Sequence, residues 1–303
     1  MKKPDFVVVG AVKSGTTSLF HYLRQHPAIF IPKSKEISYF SGSDSAGRVA
    51  GRDEYLSFFR AAGAQQKIGE VSTAYLYGEN TARAIAECLG RDTRIIILLR
   101  NPADLVYSLW GQNTRDGGET LPLAQAIEAE SQRMLDPDFN KHVSGWKYNY
   151  AYTGRARYSP QVSRYIDVFG RENVAIYIFE EFFADIESSM RDLFGFIGVD
   201  TGFRIKQTAQ HNRQGSVRWK WLHRLYFENS RAAKVIRRIV PARFRRAIMM
   251  AIYRLNTKTA PRQSLPDGQY RQLMKIFESD IHALEGILGR DLSSIWSYSG
   301  EGK

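Results

Sequence analysis

The densest chemistry lies near the amino terminus, in Gly10-Ala11-Val12-Lys13-Ser14-Gly15-Thr16-Thr17-Ser18-Leu19, directly after the apolar run Phe6-Val7-Val8-Val9. A loop of small residues feeding a helix is a phosphate cradle. Its free N–H groups and the positive end of the helix dipole both favour an anion. Lys13, Ser14, Gly15, Thr16, Thr17 and Ser18 are therefore expected to bind a nucleotide phosphate. The loop departs from the nucleoside-triphosphate pattern G-x-x-x-x-G-K-[ST]. Counting from Gly10, the second glycine falls correctly at Gly15, but Thr16 follows it and the lysine sits at Lys13. A second apolar run, Ile95–Leu99, ends in Arg100 rather than in an acid that would help hold Mg²⁺. Such a loop is unsuited to ATP or GTP hydrolysis. It suits a nucleotide with one 5′-phosphate.

Lys13-Ser14-Gly15-Thr16-Thr17 after a buried strand resembles the 5′-phosphosulfate loop of the sulfotransferases, which use 3′-phosphoadenosine 5′-phosphosulfate (PAPS). A second signature of that family is an Arg at a strand end with a Ser eight residues on, matched by Arg100 and Ser108. The Arg offers forked donors to the 3′-phosphate and the Ser hydroxyl adds a bond. Weaker likeness continues through Tyr158, Tyr165, Val174–Glu180 and Phe194–Val199, and ends at Leu288–Trp296. It is least secure over 41–66 and 219–262.

The resemblance implies a P-loop-like three-layer α/β/α fold and in-line attack on sulfur by an acceptor hydroxyl, with 3′,5′-adenosine bisphosphate (PAP) as product. A base near the acceptor and a cation near the leaving oxygen suffice, and no metal is required. Lys13 is the implied cation. Lys33-Ser34-Lys35-Glu36-Ile37-Ser38-Tyr39-Phe40 is similar to the Lys-Glu stretch of glycan-type sulfotransferases, which implies Glu36 as base and acceptor contact. The Lys-x-His of the animal cytosolic enzymes is missing, since no His lies between His26 and His142. His211 is the alternative base. Gly69-Glu70-Val71-Ser72-Thr73-Ala74-Tyr75 resembles a stretch bordering the acceptor, which implies Ser72 and Tyr75 as acceptor contacts. Val71 stands where glycosaminoglycan enzymes often carry Lys, a departure that weighs against an acidic glycan. His211–Arg218 falls where the family closes a loop over the nucleotide, giving Arg213, Gly215 and Arg218 as further donor contacts. Phe179 reads as core.

These residues need elements to place them. Strands are expected at Phe6–Val9, Lys67–Glu70, Arg94–Leu99 and Val174–Phe179. Helices are expected from the loop to about Arg24, and over Thr81–Leu89, Pro102–Thr114, Leu121–Met134, Pro160–Phe169 and Glu187–Ile197. Residues 41–54 read as loop and Pro137–Asn149 as irregular. Alternating strands and helices imply a parallel sheet covered on both faces. No linker divides the chain, so 1–303 reads as one α/β domain with 217–262 as a basic helical segment.

Composition bounds the partners. The 303 residues are 43% hydrophobic and 24% charged, which excludes disorder and coiled coil. No apolar run approaches the ~20 residues of a membrane span, and Phe6–Val9 is too short for a signal-peptide core. Cys88 is the only cysteine, so a reducing, cytoplasmic setting is expected. Net charge is +12, and Arg204–Arg262 carries 16 Lys/Arg against the single acid Glu228. That segment faces anions: the nucleotide, the acceptor or lipid. Phe244, Ile248, Ile252 and Leu255 share a helical face beside Arg243, Arg245 and Arg246, a pattern compatible with peripheral membrane contact. The expected acceptor is a carbohydrate, glycolipid or small molecule. The alternatives are an atypical P-loop small-molecule kinase and a nucleic-acid-binding protein. The latter leaves Lys13, Arg100 and Ser108 unexplained.

Overall fold

A computed structural model describes residues 2–41, 49, 51–64, 66–143, 146–206, 215–217, 257–259 and 265–297. The chain forms two compact units. The first comprises Met1–Val106, Thr153–His211 and Pro266–Lys303. The second comprises Tyr107–Tyr152 and Asn212–Leu265.

The first unit is built on a five-stranded sheet: β1 (Phe6–Gly10), β2 (Ile29–Phe30), β3 (Lys67–Val71), β4 (Arg94–Leu99) and β5 (Val174–Ile178). Their order is β2-β3-β1-β4-β5, and every pairing is parallel. β1 and all of β4 after Arg94 are buried, as a strand covered on both faces requires. Phe6, Val8, Ile96 and Leu98 pack with residues of α1 (Thr16–Leu23) and α11 (Ile186–Ile197) on one face. On the other face α9 (Ser159–Phe169) packs against β4 and β5, and α3 (Thr81–Leu89) packs against α9. The result is the expected three-layer P-loop-like arrangement. In parallel sheets ligands gather beyond the carboxyl ends of the strands, where the strand order reverses. β1 sits at that reversal.

The boundaries of several elements differ from the sequence reading. Within 41–54, expected as loop, α2 begins at Arg52 and runs to Ser57. After α4 (Pro102–Arg115), the helix expected over Leu121–Met134 is two, α5 (Leu123–Glu128) and α6 (Glu130–Leu135), meeting at Ala129. Pro137–Asn149 is not wholly irregular. It contains α7 (Phe139–His142) and a 3-10 turn at Lys147–Tyr150, joined by Lys147 N–H to Asn140 Oδ1 at 2.9 Å. Phe179 does not end β5; after α8 (Tyr152–Ala156) and β5, it opens α10 (Phe179–Ala184). The physical reason is Glu180. Its carboxylate accepts from Asn101 N–H and Trp296 Nε1, both at 3.0 Å, which turns the chain out of the sheet.

Of the basic segment expected to be helical, the described residues are extended. β6 (Gly215–Val217) pairs antiparallel with β7 (Thr257–Thr259). The helical face at 244–255 lies outside the described residues. Two helices close the described chain, α12 (Asp267–Leu288) and α13 (Ser293–Trp296).

Candidate active site

The donor side starts where β1 ends. Ala11 N–H bonds to Leu98 O at 2.7 Å, anchoring the loop to β4. Gly15 has φ +78°, and a Cβ there would overlap the Phe183 ring, so the position needs glycine twice over. Lys13 is also left-handed, with φ +61°, an uncommon conformation for a side-chain-bearing residue. Such backbone persists only where surrounding contacts hold it. Arg100 supplies one: its Nη1 donates to Lys13 O at 3.0 Å. Ser14, Thr16 and Ser18 are buried, and Lys13 and Thr17 are half-buried.

Arg100 is 5% exposed. Its Nη2 pairs with Asp104 Oδ2 at 3.0 Å, and its carbonyl accepts from Tyr158 OH at 2.9 Å. The guanidinium lies 5.1 Å from the Phe179 ring centre. Phe179 is thus half-buried beside the donor loop rather than in the plain core. Arg100 Nε is buried with no hydrogen-bond partner. A buried, orphaned guanidinium donor beside a phosphate cradle fits an anionic nucleotide. Ser108 is buried on α4, in the second unit. Gly215 opens β6. Arg213, Arg218 and His211 lie outside the described residues.

The acceptor side starts where β3 ends. Glu36 is left-handed, with φ +60°, and its N–H bonds to Val71 O at 2.9 Å. Its carboxylate accepts from Thr73 N–H at 2.7 Å and from Thr73 Oγ1 at 3.0 Å, and also from Lys35 Nζ. Thr73 O in turn accepts from Arg155 Nη2 at 3.1 Å. Arg155 is 3% exposed. Burial pulls its guanidinium down to about 10, and the charge of Glu36 acts against that pull. Thr73 thus couples the candidate base to a buried cation.

Ser72 and Tyr75 point inward. Both are fully buried, and both hydroxyls donate to Glu70 Oε1, at 2.8 and 2.6 Å. Tyr55 OH donates to Glu70 Oε2 at 2.6 Å. Burial raises the pKa of Glu70, and these three hydroxyl donors oppose the rise.

Lys13, Glu36, Ser72, Tyr75 and Arg100 all belong to the first unit, at the carboxyl edge of its sheet. The sequence reading missed Tyr55, Glu70, Thr73 and Arg155. One signal was legible: Glu70 is a carboxylate between Ile68-Gly69 and Val71 in a sheet-forming stretch. Arg155 had none, because its partners lie about 80 residues away along the chain.

The chain is 36% identical over 101 residues to the membrane-associated sulfotransferase kil1 of Dictyostelium discoideum, covering 33% of this chain and 21% of that protein. It is also 36% identical over 143 residues to the bifunctional heparan sulfate N-deacetylase/N-sulfotransferase 2 of Mus musculus, covering 44% of this chain and 16% of that protein. The chain therefore spans about a fifth or less of the length of these two relatives. The crystal structure of a sulfotransferase from Alicyclobacillus acidocaldarius matches with a TM-score of 0.72 and 28% identity, over 98% of this chain and 100% of that one. Residues 3–282 match the sulfotransferase domain. The chain belongs to the sulfotransferase domain family.

Proposed function

We infer that this sulfotransferase transfers the sulfuryl group to a hydroxyl of a carbohydrate, glycolipid or small-molecule acceptor, with Glu36 as general base. The observation that carries this reading is the Glu36 carboxylate. Thr73 holds it by two hydrogen bonds at the same sheet edge that carries the Lys13 loop. PAPS, when bound, supplies a sulfur centre with a phosphate leaving group. Glu36 takes the proton of the attacking hydroxyl as the new oxygen–sulfur bond forms. Lys13 stabilises the negative charge left on the bridging phosphate oxygen. Ser14, Gly15, Thr16, Thr17 and Ser18 hold the 5′-phosphate. Arg100, through its orphaned Nε, and Ser108 hold the 3′-phosphate, with Arg213, Gly215 and Arg218 closing on the nucleotide. Ser72 and Tyr75 border the acceptor side from beneath. Residues 1–303 act as one sulfotransferase domain.

Val71 in place of a lysine favours a neutral or lipid-linked acceptor over an acidic glycan. A relative described as membrane-associated, together with the basic 204–262 segment, supports peripheral contact with anionic lipid. Among the described residues no helix is long and apolar enough to cross a membrane. Neutralising Arg243, Arg245 and Arg246 together is expected to abolish sedimentation with anionic vesicles. Unchanged binding would remove the lipid reading.

The donor assignment is tested by calorimetric titration with PAP in the absence of Mg²⁺, on the wild type and on Arg100→Ala. Losing charge-assisted bonds is expected to weaken PAP by about 10- to 100-fold. Equal affinity in the two proteins would take Arg100 out of the donor site.

A further inference from the structure

Glu70 lies within the parallel sheet, opposite Val7 of β1, and is 1% exposed. A carboxylate in such a place is costly unless its oxygens are well paired. Its three donors are the hydroxyls of Tyr55, Ser72 and Tyr75, each fully buried. Each of these three residues also reaches one short segment of chain. Ser72 Oγ accepts the N–H of Ser38 at 3.1 Å. Tyr75 OH accepts the N–H of Phe40 at 3.4 Å. The Tyr55 ring stacks on Tyr39, with ring centres 4.7 Å apart. Residues 38–40 are thus tied to a single carboxyl through three arms.

That segment follows directly on Glu36 and needs restraint. Glu36 and Ser38 have φ of +60° and +58°. Neither is glycine, and a left-handed residue with a side chain is strained unless its surroundings fix it. Glu70 is well suited to the task, because two carboxylate oxygens accept several donors in fixed directions.

We propose that Glu70 is a positioning residue for sulfuryl transfer: through Tyr55, Ser72 and Tyr75 it fixes the strained 36–40 turn and thereby holds the Glu36 carboxylate where it meets the acceptor hydroxyl. Glu70 itself touches no reacting atom. The proposal rests on Glu36 being the base.

The test is a double-mutant cycle of Glu70→Gln and Glu36→Gln, read as kcat, KM for PAPS and calorimetric PAP affinity. Misplacing the base by about an ångström is expected to lower kcat of Glu70→Gln about 30- to 100-fold, with PAP affinity within about 2-fold of wild type. In the Glu36→Gln background, Glu70→Gln should lower the residual rate by less than about 3-fold, because the two residues act as one unit. Wild-type kcat in Glu70→Gln overturns the proposal. Equal losses in both backgrounds also overturn it, because they make Glu70 a general structural residue. Wild-type kcat in Glu36→Gln is a different result: it removes Glu36 as base and the proposal with it. Should Glu70→Gln not fold, Ser72→Ala and Tyr75→Phe each cut one arm and enter the same cycle. Each is then expected to lower kcat about 5- to 10-fold only where Glu36 is present, the size of one lost hydrogen bond of ordinary strength. No loss in either variant overturns the proposal.

Discussion

On the proposed donor side of the sheet edge, Lys13–Ser18 form one stretch of chain. On the acceptor side, Glu36, Glu70, Thr73 and Arg155 come from three separate segments and act through side chains. Both sides contain left-handed residues, at Lys13 on one and at Glu36 and Ser38 on the other. The restraints on them differ. Arg100 reaches across from β4 and grips the donor loop by a backbone carbonyl. The acceptor turn hangs from a buried carboxyl through side-chain hydroxyls. A phosphate needs only convergent N–H groups and positive charge, so a local motif suffices. A general base needs its carboxylate oriented towards a proton, and that takes directional partners from the wider fold.

This contrast makes kinetic predictions. The largest effect is expected from Glu36→Gln, which removes the proposed base. Its kcat should fall about 10²- to 10⁴-fold with PAP affinity unchanged. A variant that loses PAP binding as well would erase the division between the sides. Lys13→Ala comes next, with kcat reduced about 10²- to 10³-fold through lost stabilisation of the leaving oxygen. Its loss should be the same for acceptors of different size. A dependence on the acceptor would move Lys13 to the other side. Thr73→Val keeps the N–H bond to Glu36 and deletes the Oγ1 bond, which should lower kcat by about 10-fold. No change would show that the backbone contact alone orients Glu36.

The smallest effect is expected at Glu119. Burial of Glu119 pushes its pKa up, but hydrogen bonds from Arg133, Leu121 N–H and Tyr152 outweigh this and hold it below its ordinary value. A carboxylate with a depressed folded-state pKa adds stability above its unfolded pKa, near 4.5, and loses it as pH falls through the folded value. Arg133→Gln should therefore flatten the acid limb of the thermal stability curve while leaving kcat at neutral pH unchanged. A fall in kcat would tie Glu119 to the chemistry.

The sheet was legible in the chain. β4 and α3 fall at the expected residues, because buried parallel strands read as continuous apolar runs and helices as periodic ones. On the proposed acceptor side the sequence pointed to Glu36 but not to Glu70, Thr73 or Arg155. Ser72 and Tyr75 were expected at the acceptor, yet their hydroxyls turn inward to Glu70. Nothing in the spacing of Gly69–Tyr75 distinguishes an inward hydroxyl from an outward one where the strand ends and alternation stops. Phe179 was misplaced for a related reason. An aromatic after Val174–Ile178 continues a strand pattern, and only the partners of Glu180 turn it into a helix start.

The sequence by itself determined the parallel α/β framework and the small-residue loop with its displaced lysine. These rest on local periodicity, small residues and backbone N–H groups, all within a few positions of one another. The tertiary structure alone decided that Glu70 anchors the turn carrying Glu36 and that Arg155 backs Thr73. Those links join residues about 30 to 80 positions apart, and their geometry exists only once β3, α2 and α8 are packed.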